Sequence, residues 1–350
     1  MSVPVLFEPE LARPGGFFSF LYSALRRERG AVLSSDPRPL PQQKEPREHV
    51  SAWIEMEGDA VLVDMSDHVF LLDLEALKHC TLYLKSNLHR PTLKRLLAEG
   101  GCPELETKVK PFFSFAGFLD AYLKPDPLRD LYRLWKGGSE DLCDVVGVYE
   151  HLRRDGERSV YAEQGPELTP NRVHYWARVH TLEALREAGF SGCLRLTSRY
   201  QQDLEDGDLI QSNLSQRAYR RAILRARMLV INTLPHALLP WKASECLALG
   251  RPFVVDVPPL MEQAQPFALQ EGDHYMALLP PLDFSDDQQG RVLSRLSIDQ
   301  FREGAERLRE LMQDPGRMQH MEAAARNFRN QALKPATLVS YIEACLQELR

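Results

Sequence analysis

The sequence predicts an α/β protein of two doubly wound, parallel-sheet domains facing a cleft, with a helical C-terminus. Three observations predict it. Short β-branched-rich runs such as Ala60–Val63, Leu229–Ile231 and Phe253–Val255 alternate with stretches of helical period, the pattern of strands covered by helices on both faces. The alternation halts in a Pro- and Gly-framed stretch, Lys124–Glu140, and then restarts. From Ser297 onward the helical period runs without a strand, broken near Pro315 and Pro335. A chain of 350 residues exceeds one typical core and suits two of common size. The expected division is residues 1–130, residues 131–332, and a helix over 333–350 that would return to the first domain.

Val3–Phe7 reads as the first strand, and Pro14-Gly15-Gly16 as the turn before a helix over Phe17–Arg27. Phe17, Phe20, Leu21 and Ala24 share one face of that helix. Ala31–Leu33 is a second short strand, and Ser34–Glu48, rich in proline and charge, is a polar loop. Ala60–Val63 is a strong strand ending at Asp64-Met-Ser-Asp67-His68. Leu74–His79 reads as a helix, Thr81–Leu84 as a strand, and Arg90–Glu99 as a helix stopped by Gly100-Gly101; Val109–Phe115 closes the first half.

In the second half, Asp144–Tyr149 is a strand and Arg172–Ala188 a helix behind the start signal Thr169-Pro170-Asn171. Leu194–Leu196 is a strand and Leu214–Arg227 a helix. Met228–Val257 then reads as strand, polar loop, short helix and strand, with Pro240 suited to the first helical position and Gly250 to the stop. His274–Leu279 supplies a late strand. A carboxylate such as Glu245, near a helix start at the carboxyl end of a parallel strand, is well placed to accept bonds from a ligand's hydroxyls.

The run Glu245-Cys-Leu-Ala-Leu-Gly250-Arg-Pro252-Phe-Val-Val resembles the nucleotide-sugar-binding segment of GT-B glycosyltransferases. That family's pattern is Glu, four mostly small or apolar residues, Gly, any residue, Pro, then a strand. A second resembling segment is Pro14-Gly15-Gly16, where many members place a Gly pair. The resemblance covers most of the chain in βαβ rhythm and only these two segments in motif. It implies two Rossmann-like domains in the GT-B arrangement, a nucleotide-sugar donor, and a glycan, lipid-linked or protein acceptor. It also implies that Glu245 holds the donor ribose. Retaining members commonly carry a first Glu separated by seven residues from the second; Ala237 occupies that place here, which leaves the stereochemistry open.

Other residues suit the chemistry of such a transfer. Backbone at Gly15 and Gly16, lacking Cβ atoms, can approach a phosphate or an acceptor, or simply make a tight turn. An inverting transfer needs a base for the acceptor hydroxyl, and Asp64, Asp67 and His68 cluster at a strand's carboxyl end. The bland alternative there is an N-cap by Asp67 beside an exposed His68. The leaving diphosphate needs cations: Arg153, Arg199, Lys242 and Arg217 are the candidates, although Arg217, Arg221 and Arg225 also make an ordinary solvated stripe. Asn232 and Thr233, in the loop before the diagnostic helix, suit contact with ribose or phosphate.

Composition narrows the field. A net charge of −6 argues against a nucleic-acid binder. The six cysteines are scattered without a Cys-x-x-Cys pair, as buried free thiols would be. The Asp64/Asp67 spacing is Asp-x-x-Asp, so neither a metal nor another cofactor is expected. Without a signal-peptide layout or a membrane-length apolar run, a cytoplasmic protein with at most peripheral membrane contact is expected. A nucleotide-sugar epimerase or hydrolase of the same fold, or a non-catalytic binding subunit, are the rival functions.

Overall fold

The computed structural model describes residues 4–6, 18–33, 51–66, 72–113, 115, 143–150, 170–198, 210–212, 215–233, 239–281 and 297–350. The protein is mixed α/β, with two six-stranded sheets and a helical C-terminus.

The first sheet takes β1 (Pro4–Leu6), β2 (Val32–Leu33), β3 (Ser51–Met56), β4 (Asp59–Asp64), β5 (Leu82–Lys85) and β6 (Val109–Pro111) in the order β2-β1-β3-β4-β5-β6. Helices α1 (Ser19–Arg29), α2 (Leu74–His79) and α3 (Arg90–Glu99) alternate with them. β4, β5 and β6 run parallel, as expected. β3 runs against both β1 and β4, so this sheet is mixed rather than wholly parallel. The cause is local. Glu57 and Gly58 both adopt positive φ, 55° and 94°, and a two-residue turn of that hand joins only antiparallel neighbours. Strand β3 lies outside the sequence-based expectation, although its period of two is plain once seen. Ala52, Ile54 and Met56 are buried while Ser51, Trp53 and Glu55 are partly exposed.

The second sheet takes β7 (Cys143–Glu150), β8 (Gly192–Ser198), β9 (Ile210–Ser212), β10 (Ala226–Ile231), β11 (Phe253–Val255) and β12 (Tyr275–Ala277). All its pairings are parallel, in the order β12-β11-β10-β7-β8-β9. Counted from β7, this is the doubly wound dinucleotide-fold order, with its reversal between β7 and β10. Its helices are α4 (Pro170–Glu187), α5 (Gln216–Arg225) and α6 (Lys242–Ala248). Helix α6 begins after Trp241, so Pro240 precedes the helix rather than opening it. Gly250 follows at φ 65°, the left-handed stop expected of it. The three-residue strand β9 was not expected, being too short to show a period.

The C-terminus forms α7 (Ile298–Gln313), α8 (Pro315–Gln331) and α9 (Pro335–Gln347). Pro315 and Pro335 are first helical residues, where no amide donor is needed. Helix α9 and its C-cap Glu348 reach the first sheet and α1: the Tyr341 hydroxyl donates to the Pro111 carbonyl, Arg29 of α1 pairs with Glu343, and Lys110 meets Glu348 at 2.7 Å. One apolar core runs from α1, β3 and β4 through α9 to α6, β10 and β11. A second core lies between β7, β8 and β10 and helices α4 and α7. Within the shared core, Phe113 stacks on Phe267 at 5.6 Å, and Phe115 meets Phe267 edge-on at 5.5 Å. The Lys124–Glu140 connection lies outside the described residues. Among the described residues no helix is long and apolar enough to cross a membrane.

Candidate functional site

Helix α6 leaves the carboxyl end of β10 and runs back to β11, so its first turn sits at the carboxyl edge of the second sheet. Glu245 occupies that turn. Its side chain is 2% exposed, not turned to bulk water. The Tyr219 hydroxyl, from α5, donates to Glu245 Oε2 at 3.4 Å. Helix α5 is started by Ser215, whose Oγ accepts from the Ala218 amide at 3.2 Å. The Cys246 thiol is pushed well up, first by burial and then by the charge of Glu245, with Lys242 opposing. Lys242, the first residue of α6, is partly exposed.

Beside this lies a knot at the ends of β10 and β11. Asp256 is fully buried, so its charge needs donors. It accepts from the Thr233 amide at 2.6 Å, the Val257 amide at 3.0 Å, and the Thr233 hydroxyl and Asn232 Nδ2. The Thr233 hydroxyl also lies 2.8 Å from the Val257 carbonyl. Thr233 thus ties the end of β10 to the end of β11. Asn232 is half engaged: Nδ2 is held by Asp256, while Oδ1 is buried without a partner among the described residues. Neither Asp256 nor Tyr219 was singled out from sequence. An Asp directly after a buried strand, in Phe253-Val-Val-Asp256, was the available signal; nothing comparable marks Tyr219.

At the carboxyl end of β4 Asp64 is the centre of a buried polar cluster. It is fully buried, and Lys85, 2% exposed, sits 3.1 Å from its Oδ2. Tyr83 donates to Oδ2 at 2.7 Å, and the Ser66 amide to Oδ1 at 2.8 Å, joined by the Ser66 hydroxyl. Burial alone would raise the Asp64 carboxyl. The Lys85 charge and the bonds from Ser66 and Tyr83 outweigh it and hold the carboxyl below its ordinary value. A buried, ion-paired carboxylate with a lowered pKa is a poor general base. Asp64 thus anchors Lys85, Tyr83 and Ser66 at the end of β4. Asn87, also 2% exposed, donates to the Ser66 carbonyl at 3.0 Å and leaves its Oδ1 buried without a partner among the described residues.

Loops that follow strands of the two sheets touch one another. Ser86, Phe112 and Phe113 from the first share a small cavity with Leu239, Met261 and Gln263 from the second. Arg90 clasps Glu262 through two bonds of 2.7 Å, and the Glu262 amide donates to the Leu88 carbonyl at 2.8 Å. The remaining candidates fall elsewhere. Asp67, His68, Gly15, Gly16, Arg153, Arg199 and the Ala237 position lie outside the described residues, and for Arg217 only its place at the start of α5 is described. Among the described residues no group of three or more His, Cys, Asp or Glu is placed to hold a metal.

No protein-family model matches the sequence, and no curated protein matches it. Several solved structures do. Alr3699/HepE of Anabaena in complex with UDP is 12% identical, with 78% of this chain and 65% of that chain covered and a TM-score of 0.45. A glycosyltransferase from Rickettsia africae ESF-5 is 9% identical over 82% of this chain and 70% of that one, with a TM-score of 0.44. The UDP-GlcNAc 2-epimerase of Neisseria meningitidis, bound to UDP-GlcNAc, is 10% identical over 78% and 62%, with a TM-score of 0.34. The chain thus spans less of the HepE chain, 65%, than HepE spans of it. The solved structures that this chain is similar to include a glycosyltransferase and a nucleotide-sugar epimerase.

Proposed function

We propose that this chain is a glycosyltransferase that moves a sugar from a nucleotide-sugar donor to a glycan, lipid-linked or protein acceptor, in the cytoplasm and without a metal. One observation carries it. Glu245 is a carboxylate held at the carboxyl edge of a parallel sheet, beside the strand where the order reverses. Open α/β sheets bind ligands at that edge, and a carboxylate there forms the floor of a site for ribose hydroxyls. Lys242, in the same turn, is proposed as a cation for the leaving diphosphate; Arg153, Arg199, Arg217 and the Gly15-Gly16 loop are proposed to complete its surroundings. Asn232, with its unmatched Oδ1, is the second polar group proposed to touch the nucleotide. If transfer inverts the sugar carbon, Asp67 or His68 takes the acceptor proton, Asp64 being engaged elsewhere.

Calorimetric titration with the diphosphates of uridine, guanosine and thymidine tests this. Saturable binding of at least one is expected. Glu245→Gln should weaken it by about 1.5–3 kcal/mol, the range for hydrogen bonds to charged groups. A folded sample that binds none of the three sinks the proposal. The engagement of Asp64 also favours a second reading, a non-catalytic subunit that binds nucleotide sugar. Such a subunit would bind the same diphosphates yet release none from a nucleotide sugar offered with acceptor glycans.

A further inference from the structure

We propose that Tyr219 is the positioning residue for Glu245, and that it sets the preference of this site for ribonucleotides over 2′-deoxyribonucleotides. The inference rests on the role given to Glu245 above and adds to it a residue from a different helix. Helix α5 descends from the carboxyl end of β9 into β10, and α6 descends from β10 into β11. Both therefore start at the carboxyl edge. They also share a face of the sheet: Ile223 of α5 belongs to one core with Ala243, Cys246 and Leu247 of α6, whereas α4 and α7 pack into the other. That arrangement brings Tyr219, near the start of α5, onto Glu245, in the first turn of α6.

The chemistry follows from what each side chain can do. A glutamate has several rotatable bonds and loses that freedom when it grips a ligand. A tyrosine has few, and the Tyr219 ring is packed against the shared core, which fixes where its hydroxyl points. A hydroxyl donated to Oε2 sets the plane of the carboxylate before a ligand arrives. A carboxylate with a fixed plane receives two adjacent hydroxyls in one geometry, and a ligand lacking one of them leaves a buried acceptor unmatched. At 3.4 Å the contact is longer than the usual range of about 2.5–3.0 Å for a hydroxyl donor.

The test titrates wild type, Tyr219→Phe and Glu245→Asp with UDP, GDP and their 2′-deoxy counterparts. Tyr219→Phe keeps the packed ring and removes only the hydroxyl. Glu245→Asp keeps the charge and withdraws it from Tyr219. Wild type should prefer the ribonucleotide by about tenfold or more, the scale of one charged hydrogen bond. Both variants should lose most of that preference, Tyr219→Phe through weaker binding of the ribonucleotides and Glu245→Asp through weaker binding of both forms. A Tyr219→Phe protein with wild-type preference, or with equal losses on both ligands, overturns the positioning role and leaves the proposed function standing. A wild type that binds ribo- and 2′-deoxy forms equally, or binds neither, removes the role of Glu245 itself.

Discussion

At the scale of single residues, the Asp64–Lys85 pair dominates. Two opposite charges at 0% and 2% exposure are held by Tyr83 and Ser66. Removing one partner strands the other charge in the core. Lys85→Met should therefore cost about 3–5 kcal/mol in thermal or urea unfolding, with the Asp64→Leu/Lys85→Met double variant less harmed than that single change. The pH dependence has a definite sign. The folded Asp64 carboxyl lies below its ordinary value of 3.8, so its contribution is complete above that value and is lost as pH falls through the lower folded one. The double variant should lack this acid-side loss, and urea midpoints recorded on acidification would expose it. Little of this cluster was legible in the sequence. Asp64 stood out as a strand-end carboxylate, but its partner lies 21 residues away. Only the β4–β5 register, which sets Asp64 opposite Lys85, brings the two together. Thr233 and Asp256 repeat the pattern across 23 residues.

Elements were more legible than contacts, because periodicity is local. Helices α2 and α3 fall on the expected residues, and Ser297 opens α7 with a reciprocal capping box to Gln300. Strand β3, which among the described residues runs antiparallel to both its neighbours, was not expected; the two-residue turn at Glu57-Gly58 was its local signal. Packing between elements carries its own prediction. A Cβ on Gly304, in α7, would stand 2.2 Å from the Leu278 carbonyl oxygen, so the helix rests directly on backbone. Gly304→Ala should destabilise by about 1–3 kcal/mol through overpacking. Its exposed neighbour Glu303 serves as control. A Gly304→Ala protein melting with wild type would show that α7 does not sit this close.

Over the whole molecule, the two sheets are joined by polar and apolar contacts of unequal worth. The Arg90–Glu262 clasp is bidentate but partly exposed on both sides. Arg90→Glu or Glu262→Arg alone should each cost about 1 kcal/mol or less in thermal unfolding, and the exchanged pair should recover most of it. Failure of the exchanged pair to recover would mean that the clasp contributes through packing rather than charge. The apolar contribution is the larger. Phe113, Phe115 and Phe267 belong to both halves at once, with α9 laid across the join. Dissection should therefore fail: a fragment ending near residue 115 would carry a bare aromatic face, as would its complement. Clipping the chain before Pro335 would uncover Leu338, Val339 and Ile342's resting place on both fragments' common surface. Anyone wishing to study the two halves separately would need first to resurface those rings, or to work with the intact chain.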